Sequence, residues 1–288
     1  MLAVALLSAA DSRAAIHCLT VAGLGGEADY EQRFNAQAQE LEKLLKASGQ
    51  GVSVHTLSGT AATKQAMRNA FEEISKSAKQ DDLLVLTIIG HGTFDGTDYK
   101  FNLHGPDVSS SELAAMLDRV PAQRQLVVNG TSASGASIHA LQRPTRTVVA
   151  ATKSGTQKNA TVFPRYWIEA LRDAASDSDK NETITALEAF RYAEAKTKQF
   201  YESNKRIATE QPILEGPDPG RFALLRIGSA QLASNDPSKR ALMQKREELE
   251  VQIDALKLQK AAMPINDYKR QLQALLLDLA RTQAELDK

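Results

Sequence analysis

Short apolar runs alternate with helical patterns along most of the chain. Ile16–Ala22 is a mainly apolar run stopped by Gly23, Gly25 and Gly26, and it reads as a strand. Over residues 30–48 apolar side chains return at steps of three and four (Phe34, Ala38, Leu41, Leu44, Leu45), which predicts a helix ended by Gly49. Val52–Leu57 alternates as a half-buried strand does. A second helix is expected over 62–78, carried by Met67, Phe71 and Ile74. Leu83–Ile89 is almost wholly apolar, the pattern of a central strand buried on both faces. The alternation continues with a helix over 110–118, strands at Gln125–Val128 and Thr147–Ala151, and helices over 162–175 and 185–203. Phe222–Ile227 is expected to be the last strand. Six strands alternating with helices predict an α/β sandwich of three layers around a six-stranded, mostly parallel sheet, spanning residues 15–230. In such sheets, ligands gather at the carboxyl ends of the strands.

The pattern changes at Asn235-Asp236-Pro237, which reads as a linker. Residues 236–288 contain no glycine and are rich in Leu, Lys, Glu and Gln. Leu242, Leu249, Ile253, Leu256 and Met263 form one seam; Tyr268, Leu272, Leu275, Leu279 and Leu286 form another beyond the break at Pro264. The expectation is an antiparallel helical hairpin. It either packs on its own domain or serves self-association, and Arg246 and Lys260 at seam positions argue against a long coiled coil.

Composition narrows the function classes. The 288 residues hold 35 Lys+Arg and 35 Asp+Glu, so a net charge of zero offers no electrostatic case for nucleic acid. No apolar run reaches the roughly 20 residues that span a bilayer. The single cysteine, Cys18, excludes an internal disulfide and reads as a small buried residue. Leu2–Leu7 followed by Ser12-Arg13-Ala14 fits a short signal peptide over residues 1–14, which points to a periplasmic or secreted protein, with the cytoplasm as the alternative.

Two strand ends carry the candidate chemistry. Gly90-His91-Gly92 follows the third strand and places a histidine between glycines. Asn129-Gly130-Thr131-Ser132-Ala133-Ser134-Gly135 follows the fourth and leads into a helix. If these strands are parallel neighbours, the two turns adjoin and offer an acid/base group and a nucleophile. The order resembles the caspase/legumain superfamily, clan CD of the cysteine peptidases, whose dyad is a His-Gly after one strand and a Cys-x-Ser-Gly-like turn after the next. His91-Gly92 matches the first and Ser132-Ala133-Ser134-Gly135 the second, with Ser132 at the cysteine position, 41 residues after His91. Ala151-Thr152-Lys153-Ser154-Gly155 is similar to the family's next strand end, which helps form its specificity pocket. The resemblance covers about residues 15–228 and implies a caspase-like sandwich, with His91, Gly92 and Ser132 in the catalytic positions and Gly130, Thr131, Lys153 and Ser154 lining the cleft.

The departures bear on activity. In the family, the histidine acts mainly on the leaving group, which a cysteine tolerates because a thiol ionises near neutrality. A serine hydroxyl needs a base within hydrogen-bond reach. Legumains carry an acidic residue where Gly130 stands, and an Asn-Tyr-Arg where Asp29-Tyr30-Glu31 stands. The expectation is a catalytically degenerate pseudopeptidase that binds peptide or protein partners. The alternatives are an active endopeptidase using Ser132 (or Thr131) with His91 as base, and a cysteine peptidase whose nucleophile was replaced by serine. A hydrogen bond between His91 and Ser132 would favour the active form.

Residues 177–188 carry a second motif. Asp177, Asp179, Asn181, Thr183 and Thr185 supply oxygens at positions 1, 3, 5, 7 and 9 of a twelve-residue loop that ends in Glu188, as in an EF-hand, so Asp177, Asp179, Asn181, Thr183 and Glu188 are candidate calcium ligands. Glu182 stands where a glycine is expected, at a turn that needs positive φ. The alternative is a polar loop in which Thr183 or Thr185 caps the next helix. His55, His104 and His139 are isolated and support no zinc site.

Overall fold

The computed structural model describes residues 14–48, 51–228 and 236–286. The chain divides into two compact units, the first ending at Leu225 and the second starting at Arg226. Of the expected leader 1–14, only Ala14 is among the described residues.

The first unit is built on a six-stranded sheet. Its members are β1 (Ile16–Ala22), β2 (Val52–Leu57), β3 (Leu83–Ile89), β7 (Arg124–Asn129), β8 (Arg146–Ala150) and β10 (Ile213–Glu215), in the order β10-β8-β7-β3-β1-β2. Strands β2, β1, β3, β7 and β8 run parallel, and only β10 is antiparallel to its neighbour. Every residue of central β3 is buried, as its unbroken apolar sequence requires. Helices cover both faces. α2 (Lys64–Ser77), α3 (Ser110–Asp118) and α4 (Ile138–Leu141) bury Met67, Phe71, Ile74, Leu113, Leu117 and Leu141 against Leu19, Leu84, Leu86, Val127 and Val148. α1 (Ala28–Ala47) packs on β1 and β2 and meets α5 (Phe163–Ala170), which packs in turn on α6 (Ala186–Ser203). The α1 stripe is Phe34, Ala38, Leu41 and Leu45. Caps fix the helix starts: Thr63 accepts from Ala66 N–H, and Ser109/Glu112 and Thr185/Glu188 form reciprocal capping boxes.

The sixth strand differs from the sequence expectation. Phe222–Ile227 does not join the main sheet; Ala223–Arg226 (β11) forms a separate two-stranded sheet with Thr183–Thr185 (β9). The sixth position belongs to β10, three residues long and too short to leave a periodic signal. The helix expected over 162–175 ends at Ala170, and a 3-10 turn at Ala174–Ser176 follows. A three-stranded antiparallel meander, β4 (Gly92–Phe94), β5 (Tyr99–Phe101) and β6 (Val108–Ser109), grows from the end of β3.

The second unit is an antiparallel hairpin of α7 (Pro237–Leu258) and α8 (Ile265–Leu286). Lys239 Nζ donates to Leu286 O at 3.0 Å and Arg246 Nη1 to Gln283 Oε1 at 3.3 Å, which fixes the antiparallel register. Leu249, Ile253, Leu256 and Tyr268 are buried at the expected seams, and so is Arg246, whereas Lys260 is exposed. No helix among the described residues is long and apolar enough to cross a membrane.

Candidate functional site

The parallel register sets the strand ends in a row. Ala22 pairs with Ile89, Ile88 with Asn129, and Asn129 with Ala150. The turns that follow therefore adjoin, and three hydrogen bonds extend the ladder into them: Gly23 N–H to Ile89 O, Gly130 N–H to Ile88 O, and Ala151 N–H to Asn129 O, at 2.8 to 2.9 Å. The sheet thus brings His91, Gly92, Gly130, Thr131 and Ser132 to one edge.

What it builds there is a closed network of neutral polar groups. Ser132 is 2% exposed. Its hydroxyl donates to Gly92 O at 3.0 Å and accepts from Gly92 N–H at 3.1 Å. Both contacts tie Ser132 to the main chain beside His91, and among the described residues no hydrogen bond joins the two side chains. The sign expected of an active serine is therefore missing from this arrangement. Thr131 bonds Tyr99 Oη at 2.6 Å and donates to Asn129 Oδ1 at 2.8 Å. Asn129 Nδ2 donates to Ser137 Oγ at 3.0 Å, and Ser137 donates to Ser134 O at 2.7 Å. Ser134 Oγ in turn meets Thr152 Oγ1 at 3.1 Å and accepts from Thr152 N–H at 3.0 Å. Buried hydroxyls and amides satisfied in this way rigidify a turn. Ala133 holds the corner with φ of 56°.

Two glycines are forced by close approach. A Cβ on Gly92 would stand 2.5 Å from both Ser132 O and the Tyr99 ring. One on Gly135 would stand 2.4 Å from the main chain of Lys153 and Ser154. The latter contact brings the Lys153-Ser154 turn onto the turn that holds Ser132, with the Lys153 side chain exposed and Ser154 half-buried. Gly130 and Thr131, expected to line a cleft, are buried instead. Gly130 is covered by Pro164 and its carbonyl accepts from Thr161 Oγ1 at 2.5 Å.

His91 faces a different neighbourhood. It is half-buried rather than freely exposed, and its ring stands edge-on to Tyr30 (4.8 Å between centroids) and Phe34 (5.1 Å) on α1. Arg33 lies over the same rings, 4.5 Å from that of Tyr30. Burial disfavours the imidazolium, the Arg33 charge disfavours it further, and a hydrogen bond to the Gly25 carbonyl works the other way; the net result holds the His91 pKa below its ordinary value. Glu31 also anchors this corner, accepting from Gly25 N–H at 2.8 Å and meeting His104 Nε2 at 3.3 Å. Sequence reasoning missed Arg33 altogether, and with it the pairing of Tyr99 and Asn129 with Thr131 and the contact of Phe34 with His91. Tyr99 reaches the turn from β5, 32 residues before its partner Thr131, and no local pattern announces that pairing. Cys18 is no hidden nucleophile: burial pushes its thiol up to about 12.

The loop 177–188 gathers its acids. Oxygens of Asp177, Asp179 and Glu188 lie within 4.8 Å of one another. Glu182 adopts the positive φ of its position, 60°, without a glycine. The loop also engages its own acceptors. Asp177 takes the N–H groups of Asn181 (3.2 Å) and Glu182 (3.0 Å), and Asn181 Nδ2 donates to Asp179 at 3.0 Å. Glu188 takes Ser178 N–H and Oγ on one oxygen, and Thr185 N–H and Oγ1 on the other, at 2.9 to 3.0 Å. Thr185 is thus the helix cap, while the buried Thr183 hydroxyl has no hydrogen-bond partner among the described residues. Burial and the facing carboxylates of Glu188 and Asp177 raise the Asp179 pKa.

No family model matches the chain, and no curated protein does. Solved structures are similar to it at low identity. A Geobacter sulfurreducens protein is 13% identical over 75% of this chain and 100% of its own, with a TM-score of 0.49. The Drosophila initiator caspase Dronc is 11% identical over 70% and 79%, with a TM-score of 0.48. Caspase-1 from Spodoptera frugiperda is 14% identical over 70% and 86%, with a TM-score of 0.47.

Proposed function

We propose that residues 15–228 form a caspase/legumain-type domain that binds a peptide segment of a partner without cleaving it. The observation that carries this reading is the state of Ser132. Its hydroxyl is engaged as donor and acceptor with Gly92, it is buried, and it lies outside a hydrogen bond with His91. A serine hydroxyl has a pKa far above neutrality, so without a bonded base it stays an unreactive alcohol. The half-exposed face made by His91, Tyr30 and Arg33 remains available to a partner, and an aromatic ring under a guanidinium is a common recognition surface.

The test compares this protein with a Ser132→Cys variant on a mixed peptide library, with and without calcium. No cleavage by the unaltered protein is expected; turnover by it would end the proposal. Cleavage by the variant alone would place the loss of activity in the hydroxyl, and silence from both would place it in the closed turn. Tyr30→Ala and Arg33→Ala should weaken capture of bound peptides while leaving the thermal midpoint nearly unchanged.

A second reading concerns the loop 177–188. The convergence of three carboxylates and the positive φ at Glu182 favour a hard cation held by Asp177, Asp179, Asn181, the main chain at Thr183, and Glu188. Calorimetry with calcium should then show binding that Asp179→Asn weakens. Absence of heat at millimolar calcium reduces the loop to a helix cap.

A further inference from the structure

Helix α6 ends in an arch with clamped feet and a bare crown. At the first foot, Arg206 N–H donates to Tyr201 O at 2.9 Å, and the Tyr201 hydroxyl bonds Thr209 Oγ1 at 3.0 Å and Glu210 Oε1 at 2.9 Å. At the second foot, Glu210 is 2% exposed and accepts from Val162 N–H (2.7 Å) and Phe163 N–H (3.2 Å) at the start of α5. Glu202 to Ala208 are all exposed; the N–H groups of Asn204 and Lys205 also turn back onto the end of α6, at 3.2 and 3.0 Å, and the bare stretch begins after Arg206. Lys205 turns the chain at φ of 52°, and Ile207 stands 89% exposed, an aliphatic side chain with almost no cover. Among the described residues, the main chain of Ile207 and Ala208 makes no hydrogen bond to another main-chain group. Lys205 and Arg206 likewise make no ion pair.

The crown has what a protease needs. Cleavage requires several residues to leave their surroundings and lie extended in the enzyme's groove, so unbonded, exposed backbone is cut far faster than helix or strand. We infer that the peptide bond between Arg206 and Ile207 is a processing site for a protease of trypsin-like specificity, whose acidic pocket takes a basic side chain. This inference is independent of the peptide-binding reading. In the step, water adds across the bond: the C–N bond breaks, Arg206 gains a carboxylate and Ile207 an ammonium.

The two pieces stay assembled. Beyond the cut, β10 remains paired with β8, Glu210 still caps α5, Pro217 O accepts from Thr147 Oγ1 at 2.7 Å, and Arg221 O accepts from Arg124 Nη2 at 2.5 Å. The product is a nicked two-chain domain with a new cationic terminus three residues before a buried carboxylate.

The experiment is a brief trypsin digest of the native full chain, read by intact mass and by size exclusion. Among cuts within residues 14–228, the one after Arg206 (or after the adjacent Lys205) should come first, and the halves should co-elute and separate only in denaturant. In a Lys205→Gln/Arg206→Gln variant, nicking at this loop should slow at least about tenfold. A first cut elsewhere in that range, unchanged nicking of the variant, or halves that separate without denaturant would each overturn the inference. Because the exchanged residues are exposed, the variant should keep the parent's circular dichroism and thermal midpoint.

Discussion

The two ends of the parallel sheet are built from opposite chemistry. At the amino ends of the strands, charges are buried and paired. Asp82 accepts from Ala15 N–H (2.7 Å), Lys79 N–H (2.8 Å) and His17 Nε2 (3.1 Å), while Arg146 donates to Gln125 (2.8 Å), Leu141 O (2.8 Å) and Asp118 (2.7 Å). At the carboxyl ends, where ligands of such sheets gather, the fully buried groups around Ser132 are hydroxyls and amides, and the His91 imidazole is turned toward α1. An acid/base enzyme keeps titratable groups within reach of one another at its reacting edge. Here the strongest such pairing lies at the other edge, where it holds strand starts together. Buried, paired charge therefore marks the amino ends of this sheet, and the Ser132 turn is marked by geometry.

That contrast can be broken at either end. The largest effect is expected at the amino ends: Asp82→Ala leaves His17 and two main-chain N–H groups buried without their acceptor, at a cost of about 3 kcal/mol in urea unfolding. Burial opposes ionisation of Asp82, but the Lys79 and Ala15 N–H groups and His17 outweigh it and hold its carboxyl below the usual range. Its contribution is therefore present above the ordinary aspartate pKa and is lost as pH falls through the lower folded value, so wild type and variant should converge in stability at strongly acid pH.

At the carboxyl ends, Gly92→Ala should cost about 2 kcal/mol, because the added carbon meets Ser132 O at 2.5 Å and the backbone must shift. Equal stability of this variant and the parent would show that the turns are looser than described. The smallest effect is electrostatic. The His91 proton resonances should titrate below the ordinary histidine value, and Arg33→Gln should move the midpoint upward by removing the cation beside the ring. A midpoint that Arg33→Gln lowers or leaves in place would refute the assignment of Arg33 as the neighbour that discharges His91.

The sequence carries the fold wherever a pattern is long. Leu83–Ile89 announces a central strand because seven successive residues are buried, and the α1 stripe repeats over about three turns. It finds the strand at Ala223–Arg226 but assigns it to the main sheet, because the apolar run Phe222–Ile227 is longer than Ile213–Glu215, and which one reaches the sheet is decided by long-range pairing with β8. Glycines around His91 and after Ser132 make the candidate turns legible, since close main-chain approach leaves no room for a Cβ. The partners of Ser132 are not legible. Its hydroxyl meets the peptide groups of Gly92, 40 residues earlier in the chain, and no local pattern announces a contact across that separation. Arg33 is missed for a related reason: in sequence it is one more polar residue on an amphipathic helix, and only the approach of α1 to the end of β3 places it beside His91.

The lone antiparallel strand has a consequence for synthesis. β8 is buried along its whole length, and β10 covers its outer edge through Ile213–Ala150, Leu214–Val149 and Glu215–Val148, with Gln142 donating to the Glu215 carboxylate. Until residue 215 has left the ribosome, Thr147-Val148-Val149-Ala150 is an open, uncharged template for any other extended chain. For the time it takes to make the 64 residues between Ala150 and Glu215, plus the length held in the exit tunnel, that edge has no covering strand from its own chain.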